Sequence, residues 1–266
     1  MKDKNKPTTA ERWDQWADEY FPNAIGVDDA FMTDPVSAFH KTTWEVIAHF
    51  LPNLRGKQVL VPSSGDNQAA MALAVLGAEV TSCDISSRQI AHAKAFSEQL
   101  GLNLRFQVED SMKLDGIVSN AYDFVYMSEG ALVWLNDLPG MCENIHRVLK
   151  PGGAFINYEI HPIGRPIHGA FGKIEVVKPY DQTGPIEEDD GTKYHWRLQD
   201  ILNAIGNSGL TLRRLEEMFD ERDRGHFFFY SDKRAEMSQD EIDAYYDWRT
   251  NPQAALPHWF TACAVK

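Results

Sequence analysis

The amino-acid sequence predicts an α/β fold built on a mostly parallel β-sheet. Between about residues 57 and 160, short apolar runs that end in Gly, Pro or Asp alternate with helical segments. This alternation is typical of βαβ units, whose crossover helices cover both faces of a parallel sheet. The chain has 266 residues, of which 43% are hydrophobic and 24% are charged. This balance is that of a folded protein long enough to bury a substantial core.

Two helices are expected before the first strand. A second helix is predicted at about Pro35 to Leu51, because one proline suits its start and another follows its end. We interpret 1–52 as a helical cover and 53–266 as the main domain. The first helix is predicted from aromatic residues at helical spacing, which either pack as a core stripe or cover a ligand: Trp13, Trp16 and Tyr20.

The main domain is predicted to begin with five strands joined by helices. Beyond residue 160 the rhythm breaks, and 161–197 and 220–256 carry many Gly, Pro, aromatic and acidic residues. We interpret these two segments as lid insertions around a partly apolar pocket. The predicted strands are 57–62, 79–84, 103–108, 122–127, 154–160, 210–218 and 258–265, and the predicted helices are 68–76, 86–100, 137–149, 198–208 and 239–248.

The charge of the chain restricts its partners. There are 26 Lys and Arg against 39 Asp and Glu, so the formal charge is −13. An acidic surface repels nucleic acid and anionic membranes. The sequence has no run of about 18 apolar residues, so it predicts no membrane-spanning helix. Three widely spaced cysteines lack metal-site or disulfide spacing. We therefore expect a cytoplasmic protein, a monomer or homodimer, that acts on a small molecule.

Candidate ligand-binding residues stand where the first two strands end. Ligands of open parallel sheets bind outside the carboxyl ends of the strands. Ser63 and Gly65 lie in a turn of small residues that lets a ligand approach the backbone. Asp84 follows Gly65 by about 20 residues, the spacing of an acid that accepts hydrogen bonds from ribose hydroxyls. A plain tight turn and a helix-terminal charge are the structural alternatives.

Polar residues also follow the third and fourth strands. A carboxylate at Asp110, beside Ser111, is placed to accept a hydrogen bond from an exocyclic adenine amine. Ser128 and Glu129 are expected to line the reactive end of the ligand, where Glu129 holds an ammonium group or positions a substrate. Solvated loop charges are the alternative at both places.

With these motifs taken together, the chain resembles the class I S-adenosylmethionine-dependent methyltransferases over about residues 55–160. The resemblance implies a Rossmann-like, seven-stranded, mostly parallel sheet with an antiparallel last strand, helices on both faces, and S-adenosylmethionine as the cofactor. Glu159-Ile-His-Pro162 resembles a subgroup of bacterial small-molecule methyltransferases. The motifs that carry the resemblance are VLVPSSG at 59–65, DIS at 84–86, EDS at 109–111, YDFVY at 122–126 and RVLKPGG at 147–153.

The resemblance also implies where the cofactor lies. The turn after the first strand would contact the methionine part, the end of the second strand the ribose, and the segments after the second and third strands the adenine. The segment after the fourth strand would lie beside the sulfonium, and the N-terminal helix would fold over the cofactor. The expected cofactor-binding residues are Tyr20, Ser63, Gly65, Asp84, Ile85, Asp110, Ser111, Ser128 and Glu129.

The glycine turn departs from the pattern of these enzymes. Val61 stands where an acidic residue is usual, and Ser63 and Asn67 replace two glycines. Loss of the acid weakens the expected hold on the methionine ammonium. Glu129 is the candidate that would replace it.

His161 is the leading candidate for a general base, because it follows the fifth strand and histidine titrates near neutral pH. A structural loop histidine is the alternative, and His168, His195 and His226 compete for the same role. His161 and His168 lack a third ligand, so no metal is expected.

Two other functions stay open at this point. A protein that keeps the fold but has a decayed glycine turn would bind a nucleoside without catalysis. An NAD-dependent oxidoreductase is the other, although the turn lacks the GxGxxG pattern of that class.

Overall fold

A computed structural model describes residues 7–24, 30–65, 68–168, 174–219 and 237–266, with the side chains of 20–24 and 168 outside the described part. Seven strands form one sheet in the order β10-β11-β5-β4-β1-β2-β3. These strands are β1 (Gln58–Val61), β2 (Glu79–Asp84), β3 (Arg105–Val108), β4 (Tyr122–Met127), β5 (Leu149–Ile160), β10 (Thr211–Met218) and β11 (Trp259–Val265).

The strand directions confirm the predicted sheet. Strands β1 to β5 run parallel to one another, whereas β11 is antiparallel to both β5 and β10. The chain moves from β1 through β2 to β3 on one side and then returns to place β4 on the other side of β1. The carboxyl ends of β1 and β4 therefore flank the point where the strand order reverses, which is the usual ligand-binding crevice of such sheets.

Both faces of the sheet are buried. Val59 and Val61 face one core cluster, and Leu60, between them, faces the other. The uninterrupted apolar runs of these strands follow from this, because a strand covered on both faces has no solvent side. The helices that cover the sheet are α3 (Lys41–Phe50), α4 (Gln68–Val75), α5 (Ser87–Gln99), α6 (Leu138–Val148) and α7 (Leu198–Asn207), and the others are α1 (Thr9–Ala24), the short α2 (Ala30–Thr33) and α8 (Gln239–Tyr246).

The single helix predicted from Pro35 to Leu51 is wrong. Pro35–Ala38 form a 3₁₀ turn that ends at Phe39, whose backbone is extended. His40 then caps α3, since its Nδ1 accepts a hydrogen bond from the Thr42 backbone N–H at 3.2 Å. Val46 and Ile47 of α3 are fully buried in the main core. Helix α3 therefore packs on the sheet as part of the main core. Within the segment 1–52 that was predicted to be a cover, α1 is the helix that lies against α5.

The first predicted lid insertion, 161–197, contains two short antiparallel strand pairs. Strands β6 (Ile167–His168) and β7 (Glu175–Val176) pair antiparallel, and so do β8 (Ile186–Glu188) and β9 (Gly191–Lys193). The second predicted insertion, 220–256, lies outside the described residues over 220–236, and its described part contains α8. Among the helices of the described residues, none has the length and apolar character that crossing a bilayer requires.

Candidate functional site

The turn after β1 and the end of β2 are joined by hydrogen bonds. The Gly65 backbone N–H donates to Asp84 Oδ2 at 3.1 Å, and the Ser63 and Ser111 hydroxyls are 2.7 Å apart. Ser63 has a φ of 48°, which is why glycine is common at this place and why a serine there needs support. The hydroxyl pair provides that support and links the turns after β1 and β3. Four predicted cofactor residues are thereby brought together.

Asp84 has the environment that a ribose ligand needs. Its side chain is buried, with 7% of its surface exposed, and Oδ1 accepts from the Ser86 backbone N–H at 2.9 Å. Burial raises the pKa of this carboxyl, and the hydrogen bonds from the Ser86 and Gly65 backbone oppose that rise. The two carboxylate oxygens together have about four acceptor positions, so the backbone hydrogen bonds from Gly65, Ile85 and Ser86 leave capacity for a ligand hydroxyl. Asp84 is therefore able to accept a hydrogen bond from a ribose hydroxyl.

The segment after β3 shapes the next part of the crevice. Asp110 Oδ1 accepts from the Met112 backbone N–H at 3.0 Å, and its other oxygen lies 3.2 Å from the Lys113 ammonium. These contacts hold the Asp110 backbone in a tight turn beside the buried Ser111. Ile85, half-buried, follows Asp84 at the same edge of the sheet. All of these residues lie at the carboxyl ends of β2 and β3, where the sequence places them.

Glu159, which the sequence analysis did not select, fixes the loop after β4. Its carboxylate accepts three backbone hydrogen bonds, from Gly130 at 2.6 Å, Leu132 at 3.0 Å and Ile160 at 2.8 Å. The side chain is 2% exposed, and burial raises the pKa of this carboxyl against the opposing effect of the three amides. A lone carboxylate near the end of the apolar run FINYEI was the signal in the sequence. Glu159 thus positions the segment predicted to lie beside the sulfonium.

Ser128 and Glu129 begin that segment. Ser128 is half-buried at the end of β4, and Glu129 is exposed. Val61, at the position where an acidic residue is usual, is buried with 1% of its surface exposed. The expected role of Glu129 at the methionine ammonium stays a prediction.

His161 is engaged on both ring nitrogens. Its Nδ1 accepts from the Ile163 backbone N–H at 3.1 Å, and its Nε2 lies 2.9 Å from Glu217 Oε1 on β10. The ring is 6% exposed and packs edge-on against Phe260. Burial lowers the pKa of His161, and the Glu217 carboxylate opposes that effect. In this conformation no ring nitrogen faces a substrate, so the geometry supports the structural alternative, and the role as base stays a prediction.

The competing histidines differ in their surroundings. The His195 ring is 12% exposed, and burial together with Lys178, Arg165 and Lys193 lowers its pKa to about 4. The His168 side chain and the whole of His226 lie outside the described residues. Within the part of the chain that the structure describes, no group of three His, Cys, Asp or Glu side chains has the arrangement of a metal site.

The N-terminal helix is tied to the crevice at two places. Asp14 accepts from the Ser86 hydroxyl at 2.6 Å and from the Arg88 backbone N–H at 3.0 Å, so it caps α5 next to Asp84. Trp13 and Trp16 pack edge-to-face with Trp134, which follows β4, at centroid distances of 5.4 and 5.5 Å. The side chain of Tyr20, the predicted cover of the cofactor, lies outside the described part.

Lys193 joins the β8–β9 hairpin to this aromatic group. Its ammonium lies 3.0 Å from the ring centroid of Trp134 and 5.8 Å from that of Trp16, and it pairs with Asp190 at 2.8 Å. The side chain is 7% exposed, which strengthens a cation–π contact because water competes less. The β8–β9 hairpin is therefore anchored to the loop after β4 and to α1.

Comparison with known proteins identifies the domain. Residues 60–157 match a family model described as a methyltransferase domain. The chain is 36% identical over 116 residues to a sterol 24-C-methyltransferase of Gibberella zeae, a match that covers 42% of this chain and 30% of that protein. It is 29% identical over 188 residues to a sterol 24-C-methyltransferase of Aspergillus fumigatus, covering 66% of this chain and 46% of that protein. The chain thus spans less than half the length of these relatives.

A solved structure agrees over most of the fold. An S-adenosylmethionine-dependent methyltransferase from Mesorhizobium loti superposes with a TM-score of 0.64 at 22% identity, covering 84% of this chain and 97% of that one. The predicted family, the predicted sheet and S-adenosylmethionine as cofactor are confirmed by these matches taken together. Residues 60–157 thus carry a methyltransferase domain, and the fold around them is that of an S-adenosylmethionine-dependent methyltransferase.

Proposed function

We propose that this chain transfers the methyl group of S-adenosylmethionine to a small molecule that binds under the lid. The observation that carries the proposal is the Asp84 carboxylate, which is buried at the carboxyl edge and held by the Gly65 and Ser86 amides. The formal charge of −13 supports a small acceptor over nucleic acid, because a negative surface repels phosphate backbones.

The chain's contribution is to bind and orient the reactants. The cofactor, when bound, supplies a methyl group on a sulfonium that is already a good leaving group. Asp84 would hold the ribose, Ile85, Asp110 and Ser111 the adenine, and Ser63, Gly65, Ser128 and Glu129 the methionine end. Glu159 keeps the loop after β4 in place through its three amide bonds. Alignment of this kind lowers barriers by about 7–11 kcal/mol in well-oriented reactions.

Calorimetry with S-adenosylhomocysteine and with NAD tests the proposal. We expect the wild-type protein to bind S-adenosylhomocysteine and not NAD. Asp84→Asn keeps the size of the side chain but loses its charge, and we expect an affinity about 10- to 100-fold lower, the scale of a charged hydrogen bond. Asp240→Ala removes an exposed charge in the first turn of α8 and is the control. Binding of NAD alone, or an unchanged affinity of Asp84→Asn, would contradict the proposal.

The non-catalytic alternative is tested separately. The protein is incubated with methyl-labelled S-adenosylmethionine and a fractionated extract of small metabolites. We expect label in a product of low mass with the wild type and a large loss of it with Asp84→Asn. Cofactor binding without any labelled product would favour a binding protein.

A further inference from the structure

Strand β10 forms one edge of the sheet. It has eight residues, whereas β3 at the opposite edge has four. Within the described part of the chain, β10 pairs with β11 alone, so the backbone N–H and C=O groups on its outer side face no other strand. A row of such groups is a template to which a further strand can add.

The elements around β10 cover its two faces. Helices α7 and α3 both contact the strand, and they belong to the core clusters on opposite faces of the sheet. At the end of the strand, the Phe219 carbonyl oxygen lies 3.4 Å from His40 Nε2, at the start of α3. Among the described residues, the outer edge of β10 is therefore open along its length.

The charges of β10 are arranged symmetrically about Leu215. Arg213 and Arg214 precede this residue, and Glu216 and Glu217 follow it. In antiparallel pairing with a second copy, about a two-fold axis at Leu215, Arg214 stands opposite the partner's Glu216. Arg213 comes next to the partner's Glu217, and the symmetry forms each pair twice. Opposite charges that face each other across antiparallel strands stabilise the pairing.

The same order of charges disfavours the neighbouring registers. An axis moved to Arg214 would place the two copies of that arginine opposite each other, and an axis moved to Glu216 would do the same for two glutamates. Like charges in this position are destabilising. Natural sheets protect an edge with charges that repel other strands, above all with lysine. The edge of β10 instead carries both signs, in the order that attracts a copy of itself.

The central charged pair lies in the regular part of the strand. The Arg214 and Glu216 side chains are 39% and 32% exposed, and the two contact each other along the strand. The pairing of β10 with β11 is regular from Arg214 to Met218, and a bulge lies between Leu212 and Arg214. The contacts of Arg214 and Glu216 with the other copy are therefore the ones that the geometry defines best.

Two apolar side chains near the ends of β10 are exposed to solvent. Leu212 is 38% exposed and Phe219 is 52% exposed. In the register centred on Leu215, Leu212 of one copy comes next to Met218 of the other copy, and Phe219 comes next to Thr211. Pairing therefore brings both exposed side chains beside the other chain, which reduces their contact with water.

We propose that this chain forms a homodimer in which the β10 strands of two copies pair antiparallel about Leu215. The two sheets then become one continuous sheet. The carboxylate of Glu217 also lies 2.9 Å from His161 Nε2, so the interface borders the segment after β5. The inference does not depend on the proposed function, because it uses only the edge strand and its charges.

Analytical ultracentrifugation of the full chain, over a range of protein concentrations, tests the proposal. We expect the wild type to dimerise, with a dissociation constant that rises with salt because salt screens the charged pairs. Arg214→Glu makes this face of the edge negative, and Glu216→Arg makes it positive. Each should raise the dissociation constant about tenfold or more, the combined scale of two cross-strand charge pairs. A wild type that stays monomeric at all concentrations would overturn the proposal.

Charge exchange separates this interface from other surfaces. An equimolar mixture of Arg214→Glu and Glu216→Arg should form a heterodimer, and the chain that carries both changes should dimerise like the wild type. Arg105→Glu on β3, at the opposite edge of the sheet, is the matched control and should leave the dimer unchanged. Circular dichroism verifies that each variant is folded. A dimer that Arg214→Glu does not weaken, or that Arg105→Glu weakens equally, would assign the contact to another surface and refute the proposal.

Discussion

The neutral His195 ring predicts a specific dependence of stability on pH. Its pKa falls from an ordinary value of 6.5 to about 4 in the folded chain, because the ring is buried and three cations lie near it. Between these values the unfolded chain binds a proton that the folded chain does not, so folding loses stability as the pH falls from 6.5 to about 4. At ~1.4 kcal/mol per pKa unit, the contribution of His195 is about 3 kcal/mol.

Urea unfolding of the wild type and His195→Gln, measured at several pH values without ligand, tests this magnitude. Carboxylates also titrate in this pH range. The relevant quantity is therefore the difference in the free energy of unfolding between the wild type and His195→Gln. We expect that difference in the free energy of unfolding to change by about 3 kcal/mol between pH 7 and pH 4, in favour of His195→Gln at low pH. His49→Gln, which removes an exposed histidine, is the control. A difference that does not vary with pH would refute the reasoning.

Three further changes test contacts that hold the site. Glu159→Gln removes the charge that three backbone amides share and should lower the free energy of unfolding by about 2–3 kcal/mol, measured in urea against Glu98→Gln on exposed α5 surface. Asp14→Ala should cost about 1 kcal/mol in the same assay, since it removes a cap from α5, and an unchanged midpoint would contradict the cap. Gly153→Ala places a Cβ 2.9 Å from the Lys150 carbonyl oxygen and should cost ~1–3 kcal/mol by thermal unfolding, whereas Gly206→Ala, which meets no atom within 4 Å, should not.

The sheet was predictable from the sequence because its signal is local. The central strands β1, β4 and β5 contain short apolar runs, and burial on both faces of the sheet explains why polar residues seldom interrupt them. The position of Asp84 follows from the same pattern, since the last residue of each parallel strand lies at the carboxyl edge of the sheet. The helix predicted over 35–51 failed because the His40 side chain caps a new helix, a contact that no periodicity reveals.

The residues that act through distant contacts could not be predicted. Glu159 accepts hydrogen bonds from backbone N–H groups 27 and 29 residues earlier in the chain, in the loop after β4. The sequence gives no hydrogen-bond partner for His161. In the structure its partner is Glu217 on β10, 56 residues further along the chain. Contacts of this kind depend on the tertiary structure, so the spacing of residues in the sequence does not predict them.

The indole group of Trp13, Trp16 and Trp134 around the Lys193 ammonium has a practical consequence. Indole emission responds to a nearby charge, and here the charge sits on the hairpin while the fluorophores sit on α1 and beside β4. Any displacement of the hairpin during turnover would alter the intrinsic fluorescence of the unlabelled protein. Stopped-flow records of that signal would time the motion of the hairpin directly, with Lys193→Met as the version that lacks the charge.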